Sequence, residues 1–180
     1  MNSDKKVIGK CPLCGSDVVK TLKGWACVNS LEQEPKCRFF LFSTVANRRL
    51  SDEDASRLIT ERSILLDGLA TKDGKRFSSI VSISQDGNTD VKSQIGTCPK
   101  CGGILYVGER AVSCSNYRHP TTPCNFTIWR NTGGHDLTFS ELLEIITQGA
   151  TTNPVTLYDN KGEASSHKLG LNGDKEVTRL

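Results

Sequence analysis

The chain has 180 residues, 36% of them hydrophobic and 24% charged, with a formal net charge of +3. That length builds one ordinary domain or two small ones, and so low an apolar share leaves a small core marginal unless something staples it. The longest apolar run, residues 39–42, is far short of a membrane span, and the opening MNSDKKVIGK lacks the apolar stretch of a secretory leader, so we expect a cytoplasmic protein without a membrane partner.

The first predicted element is a tight knuckle at Cys11-Pro-Leu-Cys14, where Pro12 fixes φ and Gly15 accepts a positive one. DVVKTLKGWAC then reads as strand, turn at Gly24, strand, and returns the chain at Cys27. Cys37 follows, and after it the apolar residues alternate. Phe39 and Leu41 share one face, which we assign to the core, and Phe40 and Phe42 share the other. Ser51 with Asp54 three residues on resembles a capping box, and Ala55, Leu58 and Ile59 recur at helical spacing behind it. LATKDGKRFSSIVSI alternates around an Asp-Gly turn and predicts a hairpin. The polar stretch QDGNTDVKSQ, residues 85–94, reads as a linker.

The same order then repeats at an offset of 87 residues. IGTCPKCGG falls on IGKCPLCGS, CSN on CVN, CNFTIWR on CRFFLFS, and Thr138 with Glu141 on the Ser51 cap. Phe126 and Ile128 take the core face, Thr127 and Trp129 the other; Leu142, Ile145 and Ile146 form the helix stripe, and Gly149 stops the helix. The hairpin counterpart, VTLYDNKGEASSHKLGL, is weaker, and the offset slips to 88. The expected organisation is a first repeat at 1–84, a linker at 85–94 and a second repeat at 95–180. The expected fold is a small α+β, zinc-stabilised protein of tandem zinc-ribbon repeats, each a ribbon of short antiparallel strands followed by one helix and a β-hairpin.

All eight cysteines lie in these two frames, and disulfides or metal could be the staple. In a reducing compartment, paired Cys-x-x-Cys motifs read as zinc ligands. We therefore expect two structural zinc ions, one on Cys11, Cys14, Cys27 and Cys37 and one on Cys98, Cys101, Cys114 and Cys124. Four thiolates close the shell, whereas a catalytic zinc keeps a position open. His119 lies inside the second frame, but the first has no histidine there, so it reads as a surface residue.

The run IGKCPLCGSDVV, GWACVN, CRFFLF, LSDEDASRLI and GLATKDGKRFSSIVSI resembles the C-terminal zinc-ribbon repeat of type IA DNA topoisomerases, the topoisomerase III type above all. IGTCPKCGGILY, CNFTIWR and LTFSELLEII resemble a second copy, so the likeness runs from about Val7 to about Leu171. The resemblance implies repeats that lie behind a catalytic core and help it hold single-stranded DNA, and that in some members contact proteins, RNA polymerase among them. Its metal-ligand positions match all eight cysteines, and its aromatic positions match Trp25, Phe39, Phe126 and Trp129, with Val112 standing where the second copy would have Trp25's aromatic. Nothing in the chain resembles the acidic metal-binding domain or the nucleophilic tyrosine of that family. We therefore expect no enzyme, but a stand-alone accessory protein or a separated tail.

Sequence-tolerant single-strand binders stack bases on aromatic faces and meet phosphates with cations. Trp25, Phe42 and Trp129 fit either stacking or a small core, with Arg38, Arg48, Arg49 and Arg130 nearby for phosphates. Two closed zinc–thiolate centres would add about −4 to the formal +3, leaving about −1 overall. Any DNA contact must then come from local clusters such as Lys5, Lys6 and Lys10 or Arg48 and Arg49, while Lys36, Arg38 and Lys100 also serve to offset thiolate charge. The expected function is a zinc-binding accessory protein or domain that binds single-stranded DNA. The alternative is a module that docks on RNA polymerase, a topoisomerase or another DNA-processing enzyme.

Overall fold

A computed structural model describes residues 6–180, so Lys5 of the Lys5, Lys6 and Lys10 cluster lies outside the described residues. Two compact units divide at Val91 and Lys92. The architecture is mostly short antiparallel strands with two helices.

In the first unit β1 (Val7–Lys10), β2 (Asp17–Lys20) and β3 (Gly24–Cys27) form a meander, and β4 (Phe40–Phe42) pairs with β3 to complete a four-stranded sheet. Gly24 is required at the tight turn into β3, because a Cβ there would lie 2.0 Å from the Leu41 carbonyl oxygen. A two-residue turn joins β5 (Thr44–Val45) to β6 (Arg48–Arg49), and α1 (Asp52–Glu61) follows. The helix starts where the sequence places it. Asp54 N–H donates to Ser51 Oγ at 3.0 Å and Ser51 N–H donates to Asp54 Oδ2 at 3.0 Å, so two otherwise orphaned amides satisfy each other's residues. Ala55, Leu58 and Ile59 are buried against a core that includes Val18, Phe39, Leu41, Ile64 and Val81. β7 (Ser63–Ala70), β8 (Arg76–Ile83) and β9 (Thr89–Lys92) then form a three-stranded sheet, with the expected Asp73-Gly74 turn between the first two.

The stretch 85–94, read as a linker, contains both β9 and the division between the two units. Gly87 at φ 83° turns the chain back after β8, and Thr89–Lys92 adds an edge strand. A polar edge strand exposes much of its surface and carries no alternation strong enough to separate it from a linker.

The second unit contains β10 (Gln94–Thr97), β11 (Ile104–Val107), β12 (Ala111–Cys114) and β13 (Thr127–Trp129) in one antiparallel sheet. A short pair follows, β14 (Asn131–Thr132) and β15 (His135–Asp136), and then α2 (Phe139–Gln148). Thr138 and Glu141 make the same reciprocal cap, and Gly149 ends α2 at φ 85°. The expected second hairpin is present as β16 (Val155–Tyr158) with β17 (Ala164–His167), but Leu169–Leu171, β18, leaves it to pair with a further strand, β19 (Val177–Arg179). Leu142, Ile145, Val155, Leu157 and Leu169 are buried in this unit. No helix among the described residues is long and apolar enough to cross a membrane.

Candidate metal centres and nucleic-acid surface

Each four-stranded sheet holds its four cysteines at one end. The Cys11–Cys14 and Cys98–Cys101 knuckles follow β1 and β10, Cys27 and Cys114 end β3 and β12, and Cys37 and Cys124 precede β4 and β13. Gly15 N–H donates to Cys11 O at 2.9 Å and Gly102 N–H to Cys98 O at 2.9 Å, and both glycines stand at φ 76°. In each cluster all four Sγ atoms lie within 4.8 Å of one another. Cys11 and Cys37 are 3.6 Å apart, Cys14 and Cys27 3.4 Å, Cys98 and Cys124 3.8 Å, and Cys101 and Cys114 3.4 Å. Four sulfurs bound to one zinc at about 2.3 Å stand roughly 3.8 Å apart, so the donor set and its spacing fit tetrahedral zinc. No disulfide joins any of the eight cysteines, and the two groups could hold two zinc ions. With every tetrahedral corner a thiolate, such centres are structural.

Main-chain amides point at the sulfurs: Leu13 N–H at Cys11, Phe39 N–H at Cys37 and Asn116 N–H at Cys114, each at 3.4 Å. Burial pushes the Cys11, Cys27 and Cys114 thiols up, and Cys98 up to about 12. The exposed thiols move the other way. The backbone and hydroxyl of Ser16 bring Cys14 down to about 6, and the backbone amide of Gly103 brings Cys101 down to about 7. His119 is not among the clustered ligands; its Nδ1 accepts from Thr122 N–H at 3.2 Å and so stitches a turn.

The expected strand faces hold. Phe39, Leu41, Phe126 and Ile128 are buried, whereas Phe42 is 62% and Trp129 61% exposed. Both exposed rings lie on the outer face of an edge strand. In the first unit Phe42 packs edge-to-face on Phe40 with centroids 4.8 Å apart. In the second, Trp129 stands opposite Ala111, and Tyr106 stands opposite Ser113, so two exposed aromatics flank small residues on one sheet face. A groove of about 500 Å³ runs beside Trp129 and is lined by Asn125, Thr127 and Asn131, with Lys100 from the knuckle and Lys175 and Glu176 from the β18–β19 turn. Lys100 Nζ donates to the Asp174 carbonyl at 3.2 Å, which ties knuckle to turn. Tyr106 and Lys175 stand on this surface outside the motifs that mark Trp129. Alternation in ILYV, with Leu105 and Val107 buried between Ile104 and Tyr106, would have marked the tyrosine.

Of the expected DNA contacts, Trp25 is withdrawn into the core, and Arg48 and Arg130 hold partners within the fold. Trp25 is 2% exposed, faces the core, and donates from Nε1 to Asp52 Oδ1 at 3.1 Å. Arg48 pairs with Asp54, the capping carboxylate of α1, at 3.0 Å, and is half-buried there. Arg130 donates from Nη1 to the carbonyls of Gly108 and Glu109 at 3.1 and 2.9 Å, bracing the turn between β11 and β12. Arg38 and Arg49 are exposed; the Asp86 carboxyl is held below its usual range by its own backbone amide, Ser84 and Asn88, with Arg38 contributing least.

A small, mostly antiparallel protein with two helices and two four-cysteine clusters is consistent with zinc ribbons. More particularly, residues 36–93 match the family model of the C-terminal repeat of topoisomerase. The matched segment begins just before Cys37 and covers β4, α1 and the whole β7–β8–β9 sheet, so it takes in most of the stretch read as a linker. It is narrower than the resemblance drawn from Val7 to Leu171, and the first three cysteines precede it. Comparison with curated proteins and with solved structures gives no match.

Proposed function

We propose that the chain is a pair of zinc-ribbon repeats of the topoisomerase C-terminal type, working in a reducing cytoplasm as a non-enzymatic accessory that grips single-stranded DNA. Each repeat in this reading comprises ribbon, helix and terminal sheet, with the eight cysteines as ligands to two zinc ions. The observation that carries it is Trp129, a large ring 61% exposed on an edge strand, beside a groove with lysines at its rim. An indole left in water offers its face to an unpaired base, and Lys100 and Lys175 offer ammonium groups to the adjoining phosphates. Glu176 in the same groove and the low net charge keep the electrostatic share small, so affinity rests on stacking more than on phosphate count.

Trp129→Ala is expected to weaken binding to oligothymidylate by roughly 1–3 kcal/mol, about fivefold to a hundredfold in Kd, without loss of fold. Arg49→Ala should instead weaken every sequence alike and reduce the salt slope by about one. Fluorescence anisotropy checks both, and an unchanged Kd for Trp129→Ala would contradict the stacking.

The docking alternative is favoured by a different observation. In the first unit Leu22 is fully exposed, and with Leu31, Phe40, Lys20 and Lys23 it lines a depression of about 620 Å³. At an offset of 87 residues the second unit carries Glu109, Arg118 and Thr127 in place of the three apolar residues. A fold that accepts polar residues there does not need leucine, so the patch suits an apolar partner surface. In this reading Leu22→Glu with Leu31→Glu abolishes retention on immobilised RNA polymerase and leaves oligothymidylate affinity within about twofold. Unaltered retention counts against docking.

A further inference from the structure

Each four-cysteine cluster meets solvent chiefly at one sulfur. Cys14 and Cys101 are exposed, whereas the other six ligands are buried or half-buried. An exposed thiolate is where an electrophile or oxidant first reaches a closed sulfur shell. In both units one asparagine side chain stands over that atom. Asn29 Nδ2 lies 3.8 Å from Cys14 Sγ, and Asn116 Nδ2 lies 3.5 Å from Cys101 Sγ. Each asparagine sits two residues beyond the third cysteine, in the CVN and CSN segments.

The two caps are unequal, for a visible reason. Asn29 Nδ2 also donates to Ser16 Oγ at 2.9 Å, so its bond to sulfur is the long arm of a shared amide. The corresponding position in the second unit is Gly103. A Cβ at Gly103 would lie 2.9 Å from Cys114 Sγ and 3.0 Å from Asn116 Nδ2. Its φ is not in the left-handed region, so this glycine is needed for space and not for conformation.

We propose that Asn29 and Asn116 are positioning residues of the metal centres, which cap the exposed sulfurs of Cys14 and Cys101 with N–H···S bonds, and that Gly103 makes the second cap the closer one. The proposal rests on the zinc reading of the clusters. A hydrogen bond to a ligand sulfur draws electron density from it, lowers its nucleophilicity and fixes its orientation. Main-chain amides also point at the sulfurs, those of Ser16 and Gly103 at Cys14 and Cys101 among them, and they persist in an alanine variant, so the asparagine amide is the part that mutation removes cleanly.

The test uses the full chain with cobalt in place of zinc, followed by its sulfur-to-cobalt charge-transfer band. It is paired with iodoacetamide labelling of the zinc protein, resolved by cysteine in mass spectrometry. Asn116→Ala is expected to move the band to longer wavelength and speed Cys101 alkylation several-fold, with two metals retained, far-UV circular dichroism unchanged and Cys14 labelled at its former rate. Asn29→Ala should produce a smaller change at Cys14. Gly103→Ala keeps the asparagine but crowds its amide away without adding a hydroxyl donor, and should reproduce the Asn116→Ala result in milder form. The first unit carries a β-carbon at that place, in Ser16, so Gly103→Ala decides the matter if Asn116→Ala does not fold. An unmoved band and an unchanged Cys101 rate in a variant that keeps both metals would overturn the proposal. A wild-type chain that shows no cobalt–thiolate band overturns instead the metal reading beneath it.

Discussion

Replacing Cys27 with serine is expected to unfold the first unit and leave the second intact. Cys27 is wholly buried at the end of β3, 3.4 Å from Cys14, and among the described residues its cluster contains no fifth ligand. A serine hydroxyl does not ionise at neutral pH and is a poor zinc ligand, so the cluster falls to three thiolates. Structural zinc sites of this kind contribute roughly 10–16 kcal/mol of apparent binding free energy, more than the whole stability of a domain this small. The first unit has no comparable reserve, because its core is one helix against short strands. Without the metal, burial keeps Cys11 and Cys27 as neutral thiols, and neutral thiols do not tie the knuckle to β3. Amide-resolved NMR should show the first unit's dispersed signals collapse while those of Lys92–Leu180 persist, with metal content falling from two ions to one. A Cys27→Ser protein with both units folded and two zinc ions bound would contradict the account.

Trp25→Ala is expected to cost about 3–5 kcal/mol, through stability and not through DNA contact. The ring fills the core between β3 and α1, and its N–H shares Asp52 Oδ1 with Lys20 Nζ, which lies 2.8 Å away. Removing it leaves a cavity and takes one donor from a carboxylate that anchors the helix start. The second unit distributes the volume otherwise, with Val112 and Phe139 at the positions of Trp25 and Asp52. Thermal or urea unfolding of Trp25→Ala should show a strongly weakened first transition. Trp129→Phe leaves Trp25 as the sole indole, and its emission should then be blue-shifted and unquenched by oligothymidylate. Quenching in that variant would return Trp25 to the DNA surface.

Much of this was legible because the residues concerned answer to local rules. Cysteine spacing set the clusters, Ser51–Asp54 and Thr138–Glu141 marked the helix starts, and period-two alternation separated Phe42 and Trp129 from Phe39 and Phe126. Trp25 was misjudged, although its parity was available. It lies two residues from Cys27 on one strand and faces the same way as that ligand, opposite Leu41. The internal partners of Arg48 and Arg130 were not legible for another reason. Their charges are satisfied by a capping carboxylate and by turn carbonyls, partners set by tertiary register that composition does not reveal. β9 escaped notice because its polar sequence resembles a tether, though the final stretch NGDKEVTRL, which forms the β18–β19 turn and strand, stands in the same relation to the second unit.

The central claim, that exposed aromatic faces on these sheets hold unpaired bases, is tested most directly by titrating the zinc-loaded chain with oligothymidylate and with a duplex of equal length at two salt concentrations. Stacking requires unpaired bases, whereas attraction to phosphate alone favours the duplex with its denser charge. Tighter binding to the single strand at both salts, a shallow salt slope and quenching of Trp129 are expected. Equal or tighter binding to the duplex, with a steep slope and no quenching, would contradict the claim.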